Sequence, residues 1–306
     1  MKFLENTNIN FMKFKSFGFG LSSVLATGSI IMLLIGVNLG IDFKGGTAIG
    51  INFSDDVSIQ EVRNALKSVP IDERTLDLSS EEIKYFGNQS DVMIKIKSLD
   101  NEPENFGQLV INHLYTSMSD KVPTNKNDFI LSLGSVSPKV GSELSGKALW
   151  SVISALVLIL FYISVRFEFR FALGAILALV HDVIITLGVF SLTGFEITLS
   201  TVAAFLTIVG YSLNDTIVIL DRIRENMKSS GTVMFESTIN KSINQSLSRT
   251  LITSLTTLFV IVVLLVYGGE VIRPFSFTML VGVIVGTYSS IYIASALLAT
   301  IYQSSK

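Results

Sequence analysis

Asp215 stands in an apolar run from Ile197 to Leu220, just before the charged segment Asp221–Asn226. A carboxylate at such depth costs about 2.5–3.5 kcal/mol to insert, and residues of this kind face a protein interior or a wet cavity. Ser212 lies one turn earlier on the same helical face and Asn214 adjoins it, while Thr207, Gly210 and Tyr211 continue a small or polar surface. The basic partner in the sequence is Arg249, which opens a later apolar run. Behind it Thr250, Thr253, Ser254 and Thr257 recur at helical spacing as a hydroxyl stripe. Such a face packs inward or lines water rather than lipid.

An aspartate that exchanges protons must alternate between charged and neutral forms, which burial favours and a close cation opposes. Arginine does not give up its proton. Its part would be to pair with the carboxylate in one conformation and release it in another. The available drive is about 2.3 kcal/mol per proton per 100 mV, plus the pH difference. The same residues also fit a static interior ion pair, or an Arg249 that snorkels to cytoplasmic phosphates.

His181-Asp182 is the second candidate, in the middle of another apolar run. Histidine titrates near neutrality. Adjacent positions do not share a helix face, so the two are expected to need different partners; satisfied interior hydrogen bonds are the alternative to a proton path. Gly282-x-x-x-Gly286 reads as close backbone packing. Gly45-Gly46, after Asp42 and Lys44, reads as a tight turn into a strand rather than an anion nest. There is no G-x-S-x-G, H-E-x-x-H or P-loop, so neither an enzyme nor a nucleotide-driven motor is expected. No metal or cofactor is expected either, only protons as the coupling ion.

The elements that must hold these residues follow from composition. The 306 residues are 49% hydrophobic and only 16% charged, with a mean hydropathy of +0.57. Soluble domains carry about 25% charged residues, so much of this surface faces something other than water. A net charge of −2 argues against nucleic acid, and the absence of cysteine removes disulfides and thiolate chemistry. Sixteen of the 25 acidic residues and eleven of the 23 basic ones fall in 42–147. This distribution describes a membrane protein with one water-soluble domain inserted.

After a polar N-terminus, 1–16, the run Phe17–Val37 is long enough to cross a ~30 Å hydrocarbon core. No A-x-A-like site follows it, which favours an uncleaved first span (17–38) over a signal peptide. Residues 42–147 read as an α+β domain in the order β-α-β-β-α-β, the ferredoxin-like pattern. The signals are a strand over Thr47–Phe53 and a capping box at Ser58–Glu61 before a helix ended by Pro70. A hairpin about Gly87–Ser90, a helix over Glu104–Met118 and an alternating strand around Phe129–Leu133 complete it. Five more apolar runs follow within 148–302: Ala148–Val165, Phe171–Leu192, Ile197–Leu220, Leu251–Tyr267 and Phe275–Tyr302, with a cytoplasmic segment at about 221–248. Lys2, Lys13, Lys15, Arg166, Arg170, Arg222, Arg224, Lys228, Lys241, Arg249 and Lys306 fall on one side. The other short loops offer only Arg273. By the positive-inside rule both termini are cytoplasmic and the 42–147 domain lies outside, with Trp150 at the outer interface.

With these elements placed, the chain resembles the SecF family of protein-export membrane proteins, of the resistance-nodulation-division superfamily. The resemblance rests on Asp42-Phe43-Lys44-Gly45-Gly46-Thr47, Val165-Arg166-Phe167-Glu168 and Val180-His181-Asp182. It continues in Asn214-Asp215-Thr216-Ile217-Val218, Asp221-Arg222-Ile223-Arg224-Glu225-Asn226 and Ser246-Leu247-Ser248-Arg249-Thr250. Ser137 stands where the family's Gly-Pro-x-Val-Gly would have glycine. The resemblance implies a subunit of a proton-motive-force-driven export complex in the bacterial inner membrane. Its implied partners are SecD, the SecYEG translocon, YajC, unfolded secretory polypeptide and membrane lipids. It also implies that Asp215 and Arg249 lie on the proton pathway with an aspartate of SecD, and leaves His181, Asp182, Asn214 and Thr253 as secondary or structural members. The competing readings are a proton-coupled small-molecule exporter of the same superfamily and a non-transporting assembly subunit. An intramembrane hydrolase built on His181-Asp182 would need a nucleophile that the sequence does not supply.

Overall fold

A computed structural model describes residues 7–71, 74–99, 102–166, 168–230 and 235–304; Lys2, Phe167 and Lys306 lie outside them. In chain order, a 3₁₀ turn (Phe11–Phe14) leads into α1 (Lys15–Ile35), β1 (Asn38–Leu39), α2 (Ile41–Lys44), β2 (Gly46–Asn52) and α3 (Ile59–Ala65). Then come β3 (Val69–Ile71), β4 (Arg74–Leu76), β5 (Glu82–Phe86), β6 (Asn88–Lys97), α4 (Phe106–Ser117), α5 (Lys126–Phe129) and β7 (Ile130–Val136). The remainder is helical apart from β8 (Glu196–Ile197): α6 (Pro138–Arg166), α7 (Phe169–Leu192), α8 (Leu199–Ser230), α9 (Phe235–Tyr267), α10 (Gly269–Ser289), a π turn (Ser290–Ala294) and α11 (Ser295–Ser304). These elements form two compact units, one of Leu39–Leu149 and one of Met1–Asn38 with Trp150–Lys306.

The first unit is a four-stranded sheet in the order β5-β6-β2-β7, each neighbouring pair antiparallel. The strand register places Ile49 and Ile51 of β2 beside Ile94 and Val92 of β6. That face is closed by Val62 of α3, by Phe106, Val110, Ile111 and Leu114 of α4, and by Phe53 and Phe129. The capping box forms as its sequence dictates: Ser58 Oγ accepts from the Glu61 N–H, and Glu61 accepts from the Ser58 N–H. The helix ends at Ala65 and a 3₁₀ turn follows, while Pro70 lies inside β3, not at the helix end. A small hairpin, β3-β4, is an addition that the hydrophobic pattern does not signal. The hairpin turn closes on Gly87 alone (φ 102°), so β6 begins at Asn88. Gly45 and Gly46 have φ of 78° and 135°, and a Cβ on Gly46 would lie 2.5 Å from the Ile96 carbonyl oxygen. The tight turn into β2 therefore requires glycine.

Among the described residues, six helices are long and apolar enough to cross a bilayer. Three of them outrun their apolar stretches by ten residues or more. α6 begins at Pro138 rather than Ala148, α8 continues to Ser230 rather than stopping at Leu220, and α9 begins at Phe235 rather than Leu251. Apolar length records what lipid requires, whereas helix length is limited by breakers and caps. The early part of α9 is amphipathic, burying Phe235, Ile239, Ile243 and Leu247. It pairs with the polar end of α8, where Asn226 donates to Ser242 at 2.8 Å and Gln245 at 2.9 Å. Asn240 and Asn244 of the same α9 segment bind the backbone of Met12 and Ile9. Beside them, Arg166 and Arg224 both pair with Asp221.

Apolar burial drives helices together only weakly in lipid, so small residues that permit close approach decide the packing. α1 sets Ser29 against Gly188 of α7, where a Cβ on the glycine would come within 2.2 Å. α10 sets Gly282 against Ile208 and Gly286 against Ser212, both on α8. The Gly-x-x-x-Gly pattern is thus the α8–α10 contact. The π turn follows, with Ser295 Oγ donating to the Ser290 carbonyl at 2.9 Å.

Gly282→Ala would put a Cβ 2.3 Å from Ile208 Cδ1, and Ile208 is fully buried. Overpacking of this kind costs about 1–3 kcal/mol. The variant should show a lowered midpoint for thermal unfolding in detergent, and adding Ile208→Val should recover part of the loss; an unchanged midpoint would show that the two helices can separate freely.

In the sheet domain, the Lys121 hydrogen bond, then the Ser58 contacts, hold the Glu61 carboxyl at about 2, below its ordinary 4.5. A depressed folded value means that this support is complete above about 4.5 and is lost as pH falls toward 2. Amide exchange at the start of α3 in the intact protein should therefore accelerate across that window. Glu61→Gln should flatten the response, and an identical acid limb in the variant would assign the effect elsewhere.

Candidate functional site

Asp215 lies sixteen residues after Leu199, the first residue of α8, on the α8 face that meets α9 and α10, and is only 3% exposed. Ser254 Oγ of α9 lies 3.3 Å from Asp215 Oδ2 and 2.8 Å from Thr287 Oγ1 of α10. Thr287 Oγ1 in turn reaches the Val283 carbonyl at 2.7 Å. Two hydroxyl hydrogens thus serve three contacts. With Asp215 ionised, Ser254 donates to the carboxylate and Thr287 donates to Ser254. With Asp215 neutral, Ser254 is free to donate to Thr287, and Thr287 to the carbonyl. Hydroxyl rotation alone can answer a change of charge on the acid, since each O–H turns to suit its partners.

Asp182 of α7 is fully buried. Its Oδ2 accepts from Ser212 Oγ of α8 at 2.5 Å and from Ser289 Oγ of α10 at 2.7 Å. Its Oδ1 faces His181 Nδ1 at 2.9 Å. The two neighbours are therefore partners, contrary to the expectation from helix faces. The reason is local: Nδ1 sits close to the backbone, and both short side chains can turn their tips toward one another although their Cβ atoms diverge. His181 Nε2 is buried without a hydrogen-bond partner among the described residues, as are Tyr211 Oη and Thr250 Oγ1.

Other sequence candidates are placed differently. Arg249 is exposed, and among the described residues no ion pair joins it to Asp215. The hydroxyl stripe divides. Thr250 and Ser254 are buried, whereas Thr253 and Thr257 are half-buried and donate back to the carbonyls of Arg249 and Thr253 at 2.9 Å. Arg249, Thr253 and Thr257 thus share a partly open flank, each four residues from the next. Asn214 is exposed on α8, away from the carboxylate. Ser212 serves Asp182 rather than Asp215.

Sequence reasoning missed Thr287 and Ser289. The available signal was the polar cluster Thr287-Tyr288-Ser289-Ser290 directly after Gly286 in an apolar run. It brings Tyr288 Oη to the Gly18 carbonyl at 2.8 Å and near Ser22 of α1 at 3.1 Å.

Comparison with known proteins bears on this arrangement. The family "Protein export membrane protein SecD/SecF, C-terminal" matches residues 117–304, and the "SecD/SecF GG Motif" matches 30–57. The Protein translocase subunit SecF of Calditerrivibrio nitroreducens is 44% identical over 97% of this chain and 96% of its own length. That of Escherichia coli O157:H7 is 40% identical over 94% and 86%. The crystal structure of SecDF, a translocon-associated membrane protein from Thermus thermophilus, superposes with a TM-score of 0.82 at 37% identity. The match covers 98% of this chain but only 40% of that one, so the present chain spans about two fifths of SecDF.

Removing the hydroxyl beside Asp215 tests the site's geometry directly. Ser254→Ala leaves a buried carboxyl oxygen without its donor, a loss of about 1–3 kcal/mol. The variant is expected to unfold at lower temperature in detergent and Ser254→Thr to recover much of the difference; equal stability of all three proteins would mean that the contact contributes nothing.

Proposed function

The chain belongs to the SecD/SecF family of protein-export membrane proteins, on its SecF side, and we propose that it is the SecF subunit of a complex that uses the proton-motive force to complete polypeptide export. It is a multi-pass membrane protein. In this reading both termini lie in the cytoplasm of the inner membrane, and the Leu39–Leu149 unit lies outside, as a ferredoxin-like domain enlarged by the β3-β4 hairpin. The antiparallel strand order β5-β6-β2-β7 supports that assignment. SecD is the direct partner, and SecYEG and YajC are the wider assembly. The substrate is unfolded secretory polypeptide captured by the outer domain.

One observation carries the reading. Asp215 is buried in the span and hydrogen-bonded by an exchangeable hydroxyl pair rather than locked to a cation. An acid held in this way can take up and release a proton without stranding a fixed charge in hydrocarbon. Arg249, Thr253 and Thr257 line the flank that a second subunit would cover. In the proposed cycle the guanidinium meets an acid only when the helices rearrange, and it stabilises the carboxylate at that stage. His181 and Asp182 lie beside the pathway, while Asn214 has no part at the carboxylate.

Proton flux into vesicles carrying the complete SecD-containing complex tests this. Asp215→Asn should abolish proton-coupled export while leaving the protein inserted. Arg249→Lys should impair it, because a compact ammonium does not reproduce planar bidentate pairing. Full export by Asp215→Asn would refute the role of the acid and favour an assembly subunit.

A further inference from the structure

Asp182 is a second intramembrane acid that the proton-exchange scheme does not use. It is fully buried, and its three hydrogen-bonding partners come from three different positions: Ser212 on α8, Ser289 on α10 and His181 on its own helix. Ser289 also approaches the Gly286 carbonyl at 3.1 Å, and Gly286 is the residue that admits Ser212, whose Cβ would lie 3.0 Å from an added Cβ. One carboxyl oxygen therefore grips both sides of a close contact between α8 and α10. Asp215 follows Ser212 by one turn on α8, and Thr287 precedes Ser289 on α10, so the same two helices carry the proton site. A serine hydroxyl reaches only one atom beyond Cβ. Both bonds to Asp182 consequently hold at a single register of α8 against α10, and a slip of one residue breaks them.

We propose that Asp182 is a positioning residue: through Ser212 and Ser289 it fixes the α8–α10 register that sets Asp215 opposite Ser254 and Thr287. It acts as an acceptor of hydroxyl hydrogens and need not carry a proton itself. The inference rests on the reading of Asp215 as the proton-exchanging acid and adds the element that holds it in place.

An isosteric amide separates this role from proton carriage. In Asp182→Asn the carboxamide oxygen can replace Oδ2 as acceptor for both serines, while its NH₂ faces His181 Nδ1, whose tautomer adapts. Asp182→Ala removes the acceptor, and the double variant Ser212→Ala, Ser289→Ala removes both donors while keeping the acid. The register can be read without transport because the chain has no cysteine. The pair Ile208→Cys, Gly282→Cys lies at the close α8–α10 contact, where an added Cβ on 282 meets the Ile208 side chain. The experiment uses the full-length chain in the complete complex in membranes, measuring disulfide yield at that pair and proton-coupled export.

Asp182→Ala and the double serine variant should lose about tenfold in export, with a parallel drop in disulfide yield. Asp182→Asn should retain both. If Asp182→Asn abolished export as Asp182→Ala does while the disulfide still formed, Asp182 would be a proton carrier and the positioning role would be overturned. Unchanged export and unchanged disulfide yield in the double serine variant would overturn it equally. If Asp182→Ala failed to accumulate, the double serine variant decides, since it retains the buried acid. Failure of the underlying proton reading shows separately, as full export by Asp215→Asn with the disulfide results unaffected.

Discussion

Two carboxyl groups placed among apolar helices need hydrogen-bond donors, and much of the second unit is arranged around that need. Water is scarce at that depth, and a carboxyl left without donors there is heavily penalised. The protein supplies serine and threonine hydroxyls rather than cations. Because these side chains are short, they reach an acid on another helix only where backbones come close together. Gly286 against Ser212 and Gly282 against Ile208 supply that proximity. Glycine contacts and hydroxyl–carboxyl bonds are therefore two aspects of one device.

The choice of hydroxyls over a guanidinium has a functional consequence. A buried ion pair is held in place by the cost of separating its charges. A hydroxyl changes from donor to acceptor by rotation about one bond, which lets the carboxyl of Asp215 change charge while its surroundings keep their packing. Arg249 remains on an open flank with Thr253 and Thr257. The apolar exteriors of α1, α6 and α9 are also largely bare, with only 6% of the apolar stretch of α6 buried. Lipid or protein must cover them.

The sheet domain obeys different rules. Its stability comes from apolar residues withdrawn from water, with Ile49, Ile51, Val92, Ile94 and Ile96 aligned by strand register against α3 and α4. Burial of each such side chain is worth about 1.5–3 kcal/mol, whereas in the spans lipid offers no comparable gain. One chain thus uses the hydrophobic effect in one unit and close packing with polar contacts in the other.

What the sequence by itself determined was local. A strand-like run marked β2, turn residues between two such runs marked the β5-β6 hairpin, Ser58 and Glu61 marked a helix start, and apolar length marked the spans, because each signal depends on neighbours along the chain. Asp215, His181 and Asp182 stood out by depth alone. The β3-β4 hairpin, the reach of α8 and α9 beyond their apolar runs, and the π turn had no comparable signal. Nor did the pairing of partners: Ser212 with Asp182 rather than Asp215, Ser254 with Thr287, and Ser289 with Asp182, residues up to 107 positions apart. A hydroxyl bond extends only a few ångströms from a backbone whose position is set by helices distant in sequence. The types of groups in the site were therefore legible in advance, while the acid that each one serves was decided by the tertiary packing of α7, α8, α9 and α10.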